Sequence, residues 1–174
     1  MIAVTGLCAP LTSRPVFIVC GAGEAYDGHE PETQSKLQFM GNGTMEILQP
    51  ARWPQPSDYS NGVAAKGRTV FVSGMVGWDE QEKLVSNDFA GQTRQALKNV
   101  IEVLAEANAK PADIVRMTWY VTDKREYLSA YREIRAAYRE IIGPHYPAMS
   151  AVQVSGLIED GARVEIEVTA VVTD

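Results

Sequence analysis

The sequence predicts an α+β domain in which two helices pack on one face of a six-stranded mixed sheet. Two stretches repeat apolar residues at helical spacing, the first from Phe89 to Leu104 and the second from Tyr127 to Ile141. Near the C-terminus, residues 163–172 alternate apolar and other side chains, which is typical of a strand with one buried face. Such helices and strands bury their apolar sides by packing against each other.

Three strands are predicted before the first helix. Residues 45–48 form the first strand, and the prolines of residues 50–56 exclude regular structure in the loop that follows. Residues 62–65 and 69–73 are predicted to pair as a hairpin around a turn at residues 66–68.

Capping residues mark the beginning of both helices. Asn87 or Asp88 caps the first helix. The second helix begins at Asp123, with Glu126 at the spacing of a capping box, and ends before Gly143. Further strands are predicted at residues 115–121, 149–154 and 163–172, so the order of elements is βββαβαββ.

The first 44 residues differ from the rest of the 174-residue chain. Prolines and glycines interrupt every run there before a periodicity develops. The longest apolar run, residues 16–20, is far too short to span a bilayer. We therefore predict that residues 1–44 are a poorly ordered N-terminal extension or the product of a mis-assigned start, and that residues 45–174 form the domain.

The composition argues against several kinds of site. The net charge is −6, whereas proteins that bind a phosphate backbone usually need a basic face. The chain has two Cys and two His, and His145 is the only one of the four after residue 44. A zinc site, a disulfide framework and a Cys nucleophile are therefore not expected. We expect a cytoplasmic protein that binds neither nucleic acid nor a membrane.

The strand at residues 69–75 carries apolar side chains on both faces. Val70 and Val72 point to one face, whereas Phe71 and Met75 point to the other. Two helices cover only one face of a sheet, so the second face either stays half exposed or meets another subunit. Since there is one type of chain, we expect a symmetric homo-oligomer.

Five short stretches follow one another at a consistent spacing: residues 59–63 (YSNGV), 70–75 (VFVSGM), 92–100 (QTRQALKNV), 112–115 (ADIV) and 164–167 (VEIE). Together they resemble the Rid family of reactive intermediate deaminases, also called the YjgF or endoribonuclease L-PSP family. The resemblance spans residues 45–174. It implies a chorismate-mutase-like fold and a homotrimer with ligand sites in clefts between subunits. It also implies hydrolysis of enamines or imines with release of ammonia, without a metal or an organic cofactor.

Glu165 matches the position of the family's catalytic carboxyl. A positioned carboxyl that gives and takes protons, together with an ordered water, suffices in principle for this hydrolysis. The neighbours Val164 and Ile166 point to the opposite side of the strand, so Glu165 projects alone from an apolar segment. The alternative is a solvated strand residue like Glu167.

Three more residues match positions that line the family's cleft. Ser73 and Gly74 correspond to a Ser-Gly pair whose amides and hydroxyl hold a substrate oxygen or a water. Tyr59 corresponds to a tyrosine that closes over the ligand. The alternatives are a strand-end serine for Ser73 and packing on the proline-rich loop for Tyr59.

The sequence departs from the family at two matched positions. Met149 stands where competent members carry an arginine that binds the carboxylate of a 2-imino acid. Tyr131 replaces an asparagine, and it also fits the apolar stripe of its helix. We therefore predict little activity on small 2-imino acids and a cleft for a more apolar or larger enamine, imine or carbonyl compound. Arg52, Arg132 or Arg163 is a candidate to replace the missing guanidinium.

Three functions stay open at this point. The first is a divergent hydrolytic imine or enamine deaminase. The second is a non-catalytic trimer that senses or sequesters a small metabolite, which Met149 favours. The third is a ribonuclease, but that reaction usually recruits His or Lys for proton transfer, and His145 fits a loop residue better than a base.

Overall fold

A computed structural model describes residues 45–173, and it confirms the predicted order of strands and helices. The predictions for residues 1–44 lie outside the described residues. The strands are β1 Met45–Ile47, β2 Val63–Ala65, β3 Arg68–Met75, β4 Ile114–Val121, β5 Ala148–Gln153 and β6 Val164–Val172. The helices are α1 Phe89–Glu106, α2 Lys124–Ser129 and α3 Tyr131–Ile141.

Four of the six strands form a mixed sheet in the order β3-β6-β4-β5. Strand β6 runs antiparallel to both β3 and β4, whereas β4 and β5 are parallel, as expected for strands joined by a helical crossover. The predicted α+β class is confirmed. The six strands, however, do not make one sheet, because β1 and β2 form a separate two-stranded sheet.

The predicted hairpin between β2 and β3 does not form. A side chain at Gly67 would come within 2.2 Å of the Val172 carbonyl oxygen, so the backbone of this turn lies directly on the end of β6. From there β3 continues along β6, beginning with the pair of Arg68 and Val172. Strand β2 pairs instead with β1, where Ala65 lies opposite Met45.

The second predicted helix is interrupted at Ala130, so α2 and α3 are separate helices. Ala130 has φ −90° and ψ 9°, in the bridge region rather than the helical one. The Ser129 hydroxyl donates to the Glu126 carbonyl oxygen, which also accepts the helical hydrogen bond from the Ala130 N–H. The cap at Asp123 is confirmed, since its carboxylate accepts from two backbone amides of α2. In the described part of the chain, no helix is long and apolar enough to cross a membrane.

One hydrophobic core lies between the helices and one face of the four-stranded sheet. Alternate residues of β6, each at most 3% exposed, lie at its centre: Val164, Ile166, Val168 and Ala170. Helices α1 and α3 cover them with the apolar stripes that the sequence predicts. Both helices therefore pack on the same side of the sheet, as expected.

The opposite face of the sheet, called the open face below, carries exposed side chains. Phe71 of β3 is 77% exposed, although the neighbouring Val72 is buried. Glu167 of β6 is also exposed on this face. The homo-oligomer expected from the two apolar sides of β3 stays a prediction.

A buried amide on α1 ties this helix to the beginning of β6. The Gln92 side chain is fully buried, and its nitrogen donates to the carbonyl oxygens of Ser86 and Gly161, both at 3.0 Å. Its oxygen accepts from the backbone N–H of Arg163 at 2.7 Å. Both ends of the amide thus have partners, as a buried polar group requires. Because Arg163 immediately precedes β6, Gln92 anchors the beginning of that strand to α1.

Gln92→Leu is expected to lower the free energy of unfolding by about 3 kcal/mol, because three backbone groups lose their partner. The matched control is Gln81→Leu at an exposed loop position, which should change stability by less than about 0.5 kcal/mol. Urea unfolding followed by circular dichroism measures both variants. Equal stability of the two variants would contradict the role assigned to Gln92.

Candidate active site

Glu165 lies on β6 with its side chain on the open face of the sheet. Its neighbours Val164 and Ile166 are fully buried in the core, whereas Glu165 is partly exposed. Tyr120 of β4 lies directly opposite Glu165 in the ladder. The orientation predicted from the alternation is therefore confirmed, and the catalytic role of this carboxylate stays a prediction.

Gly74 and Ser73 lie beside Glu165 at an irregularity of β3. The pairing between β3 and β6 slips between Val72 and Met75, so the strand bulges there by one residue. A Cβ atom at Gly74 would lie 1.7 Å from Oε1 of Glu165, so glycine leaves the space that the carboxylate occupies. The structure thus brings the predicted site residues Gly74 and Glu165 into contact, and Ser73 precedes Gly74 in the same bulge.

Glu165 lines an open groove with a volume of about 280 Å³. Two further polar residues of the sheet line it, Tyr120 and Glu167, and the loop between β5 and β6 adds Val154, Gly156, Leu157 and Ile158. The Tyr120 hydroxyl donates to Oε2 of Glu167 at 2.9 Å. This hydrogen bond, with burial and the charge of Glu167, raises the pKa of Tyr120 above its ordinary value. Tyr120 is therefore a neutral phenol at physiological pH.

The other predicted site residues lie around Asp58, in the loop before β2. The Tyr131 hydroxyl donates to Oδ2 of Asp58 at 2.8 Å, and Nε of Arg135 lies 2.9 Å from Oδ1. Tyr59 follows Asp58 in the chain and is half-buried. Tyr127 contacts Tyr131 edge to face. Asp58 therefore joins the loop that carries Tyr59 to the first turn of α3.

Met149 lies on the edge strand β5 and packs against the core, on the helix side of the sheet. Its partner across the ladder is the buried Met117 of β4. The loop that carries Tyr59 runs along the beginning of the same strand, where Ser60 forms a parallel bridge with β5. Met149 therefore shares a sheet edge with Tyr59, whereas Glu165 lies two strands away.

The predicted site residues thus form two groups that do not meet within one chain. The Glu165 half-site consists of Ser73, Gly74 and Glu165, and the Met149 half-site consists of Tyr59, Tyr131 and Met149. Strand β4 separates β6 from β5, so two strand spacings, about 10 Å, lie between the groups. In addition, Glu165 points to the open face and Met149 to the core side.

None of the three arginines considered as a replacement lines the groove. Arg163 pairs with a glutamate of α2, and Arg52 and Arg132 are exposed elsewhere on the chain. The structure places the guanidinium of Arg135, which the sequence analysis did not single out, against the same Asp58 carboxylate as the Tyr131 hydroxyl. Arg135 follows Tyr131 by four residues, the spacing that places two side chains on the same helix face, and this signal is visible in the sequence.

His145 makes structural contacts in the loop between α3 and β5. Its Nε2 lies 2.6 Å from the Ile114 carbonyl oxygen, and its own carbonyl oxygen accepts from the Tyr138 hydroxyl at 2.7 Å. These contacts agree with its interpretation as a loop residue. Among residues 45–173, no group of three or more His, Cys, Asp or Glu is placed to hold a metal ion.

Known proteins are similar to this chain in sequence and in fold. Residues 52–172 match the family described as Endoribonuclease L-PSP. The human 2-iminobutanoate/2-iminopropanoate deaminase is 32% identical over 114 residues, which are 65% of this chain and 79% of that protein. A RutC family protein from Pyrococcus abyssi is 32% identical over 127 residues, 72% of this chain and 95% of its own.

A solved structure agrees with these matches. A protein of unknown function from Yersinia pestis, described as a member of the conserved Rid family, has a TM-score of 0.67 and 30% identity to this chain. The match covers 75% of this chain and 100% of that one. The chain therefore belongs to the Rid family, also called the YjgF or endoribonuclease L-PSP family, and has its chorismate-mutase-like α+β fold.

Gly74→Ala is expected to displace the Glu165 carboxylate, because the added Cβ occupies its place. The stability cost should stay below about 1 kcal/mol, since the clash involves the end of a flexible side chain. A crystal structure of the variant measures the displacement. In the control Gly156→Ala, the new Cβ meets nothing within 4 Å, so Glu165 should not move. An undisplaced carboxylate in Gly74→Ala would contradict this contact.

The ionisation of Asp58 is expected to contribute to stability. Partial burial alone would raise its pKa, but hydrogen bonds from Ser57 and Tyr131 and the charge of Arg135 hold the pKa below its usual range. Because the folded-state pKa is the lower one, the stabilisation is complete above the unfolded pKa of about 3.9 and is lost as pH falls through the folded pKa.

Urea unfolding of wild type and Asp58→Asn between about pH 7 and pH 3 tests this linkage. The difference in the free energy of unfolding between wild type and Asp58→Asn should shrink toward acid pH. The control Glu102→Gln, at an exposed position of α1, should differ little from wild type at every pH. A difference between wild type and Asp58→Asn that is the same at all pH values would rule out the ionised Asp58 as its source.

Proposed function

We propose that this protein hydrolyses reactive enamines or imines and releases ammonia. The observation that carries the proposal is the Glu165 carboxylate, which lies against Gly74 and opens to a groove on the sheet. A human relative that matches 65% of this chain is named 2-iminobutanoate/2-iminopropanoate deaminase, which supports the same type of reaction. Of the titratable side chains that line the groove, Glu165 and Glu167 also lie in a stretch that matches the family.

The reaction needs one proton carrier and one water. An enamine takes a proton at carbon and becomes an imine, to which water then adds at the imine carbon. The carbon–nitrogen bond of this adduct breaks and leaves a carbonyl compound and ammonia. Glu165 would donate the proton to the substrate and recover one from the attacking water, so it ends the cycle unchanged. Ser73 and Gly74 would hold the water or a substrate oxygen.

We further propose a homotrimer in which the Met149 half-site of one subunit faces the Glu165 half-site of the next. Two observations support this arrangement. The half-sites lie apart in one chain, and Phe71 leaves an apolar ring uncovered on the open face. Tyr59 and Tyr131 would then line the ligand cleft from the neighbouring subunit.

Met149 determines the substrate preference in this proposal. Its side chain offers neither a charge nor a hydrogen-bond donor to a substrate carboxylate. The Arg135 guanidinium, near Tyr131, is already paired with Asp58. Loss of one partner from a desolvated guanidinium–carboxylate pair costs about 2–5 kcal/mol in binding. Small 2-imino acids should therefore be poor substrates, and more apolar or larger enamines and imines should be better ones.

Ammonia release from 2-iminobutanoate is expected to be at least about 30-fold slower than with the human relative assayed in parallel, which corresponds to about 2 kcal/mol. Met149→Arg should raise kcat/KM for this substrate, and Glu165→Gln in that background should abolish the gain. Val103→Arg, on the exposed side of α1, is the control for an added guanidinium and should change nothing. Wild-type kcat/KM equal to that of the human relative would contradict the role given to Met149.

The second candidate is a trimer that binds a small metabolite without turnover. Met149 favours it, because the resemblance to competent family members implies an arginine at this position that anchors a substrate carboxylate. A thermal-shift screen with product analysis of each hit separates the two candidates. A stabilising ligand that is recovered unchanged supports the binding protein, whereas a product that disappears in Glu165→Gln supports the hydrolase.

A further inference from the structure

The groove beside Glu165 carries negative charge without a basic residue in its lining. Glu165 and Glu167 are two residues apart on β6, so both carboxylates point to the open face, about 7 Å apart along the strand. Tyr120 adds a neutral hydroxyl that is held by Glu167. Arg116 lies outside this lining, in an adjoining depression on the other side of Glu167. An anionic ligand would therefore be repelled by the groove and a cationic one attracted.

The rest of the lining is apolar and partly or fully exposed. Ile158 is 101% exposed, and Leu157 and Val154 line the groove beside it. A Cβ at Gly156 would meet nothing within 4 Å, so the loop leaves this side of the groove open. An exposed apolar side next to two carboxylates is complementary to a ligand with one cationic end and one apolar end.

We propose that the groove binds a cationic nitrogen compound that carries an apolar substituent and no carboxylate, such as an alkyl iminium ion. The proposal rests on the proposed function and names the substrate class of that site. Glu165 and Glu167 hold the charged nitrogen, and Leu157 and Ile158 cover the alkyl chain. Hydrolysis of such an iminium ion consumes one water and yields an aldehyde or ketone and ammonium. The groove beside Glu165 thus supplies no cation for a substrate carboxylate, and in the proposed assembly Met149 supplies none either.

Hexylamine and hexanoate test the charge preference with alkyl groups of similar length. Both are titrated into the full-length protein at neutral pH, where one is an ammonium ion and the other a carboxylate, and NMR follows the groove residues. We expect hexylammonium to bind at least about tenfold more tightly than hexanoate. Each methylene added between butylammonium and hexylammonium should tighten binding by about threefold. Hexanoate that binds as tightly as hexylammonium would overturn the proposal.

Matched variants locate the binding. Glu167→Gln should weaken hexylammonium binding by about threefold, whereas Glu102→Gln, on the exposed side of α1, should leave it unchanged. Ile158→Ser should remove the gain per methylene, and Val85→Ser, at a loop position 48% exposed, is its control. Equal affinities in Glu167→Gln and wild type would overturn the proposal. So would an Ile158→Ser variant that lowers the mass of the assembly and keeps the hexylammonium affinity, because Ile158 would then be a subunit contact.

Binding of hexylammonium and release of ammonia are separate measurements, so they test the ligand class and the hydrolysis separately. If hexylammonium binds as described and no imine yields ammonia above the uncatalysed rate, the proposed hydrolysis is wrong and the proposed ligand class is supported. If ammonia is released but hexanoate binds as well as hexylammonium, the ligand class is wrong and the hydrolase stands.

Discussion

The buried amide of Gln92 joins α1 to the beginning of β6, the central strand with which both β3 and β4 pair. The amide oxygen binds the backbone of Arg163, one residue before the strand begins. Both β3 and β4 pair with β6, so their registers follow from where it enters the sheet. The one-residue bulge of β3 that places Gly74 against Glu165 lies within the pairing of β3 with β6. A hydrogen-bonded amide in the core thus connects α1 to the strand that carries Glu165, and a displaced Gln92 would leave three backbone groups without this partner.

The periodic parts of the fold were predictable, and the contacts between distant segments were not. Alternation along β6 and the cap at Asp123 are local patterns, and the structure confirms both. The break at Ala130 was not predictable, because no Gly or Pro marks it and the apolar spacing continues through it from Tyr127 to Ile134. In the site, Glu165 could be identified through its motif and its orientation from its neighbours. Tyr120 could not, because only the register between β4 and β6 places it opposite Glu165, and register is a property of the folded sheet.

The two half-sites differ in the charged side chains that they contain. Around Glu165 the lining is acidic or apolar. Around Met149, an ion pair near the predicted tyrosine joins Asp58 to Arg135. The groove beside Glu165 has no basic residue in its lining to pair with a substrate carboxylate. Relatives of the same family are named as deaminases of 2-imino acids, which carry that carboxylate. The fold is therefore common to these proteins, while individual side chains determine the ligand, as is general for folds that host several functions.

We propose that one functional site is assembled from the half-sites of two subunits. A crystal structure of the full-length protein in its solution assembly is the decisive experiment. We expect a trimer in which Glu165 of each subunit and Met149 of its neighbour line the same cleft, with Tyr131 beside Met149. An assembly in which the Glu165 groove opens to bulk solvent, or is covered by a face that does not contain Met149, would contradict it.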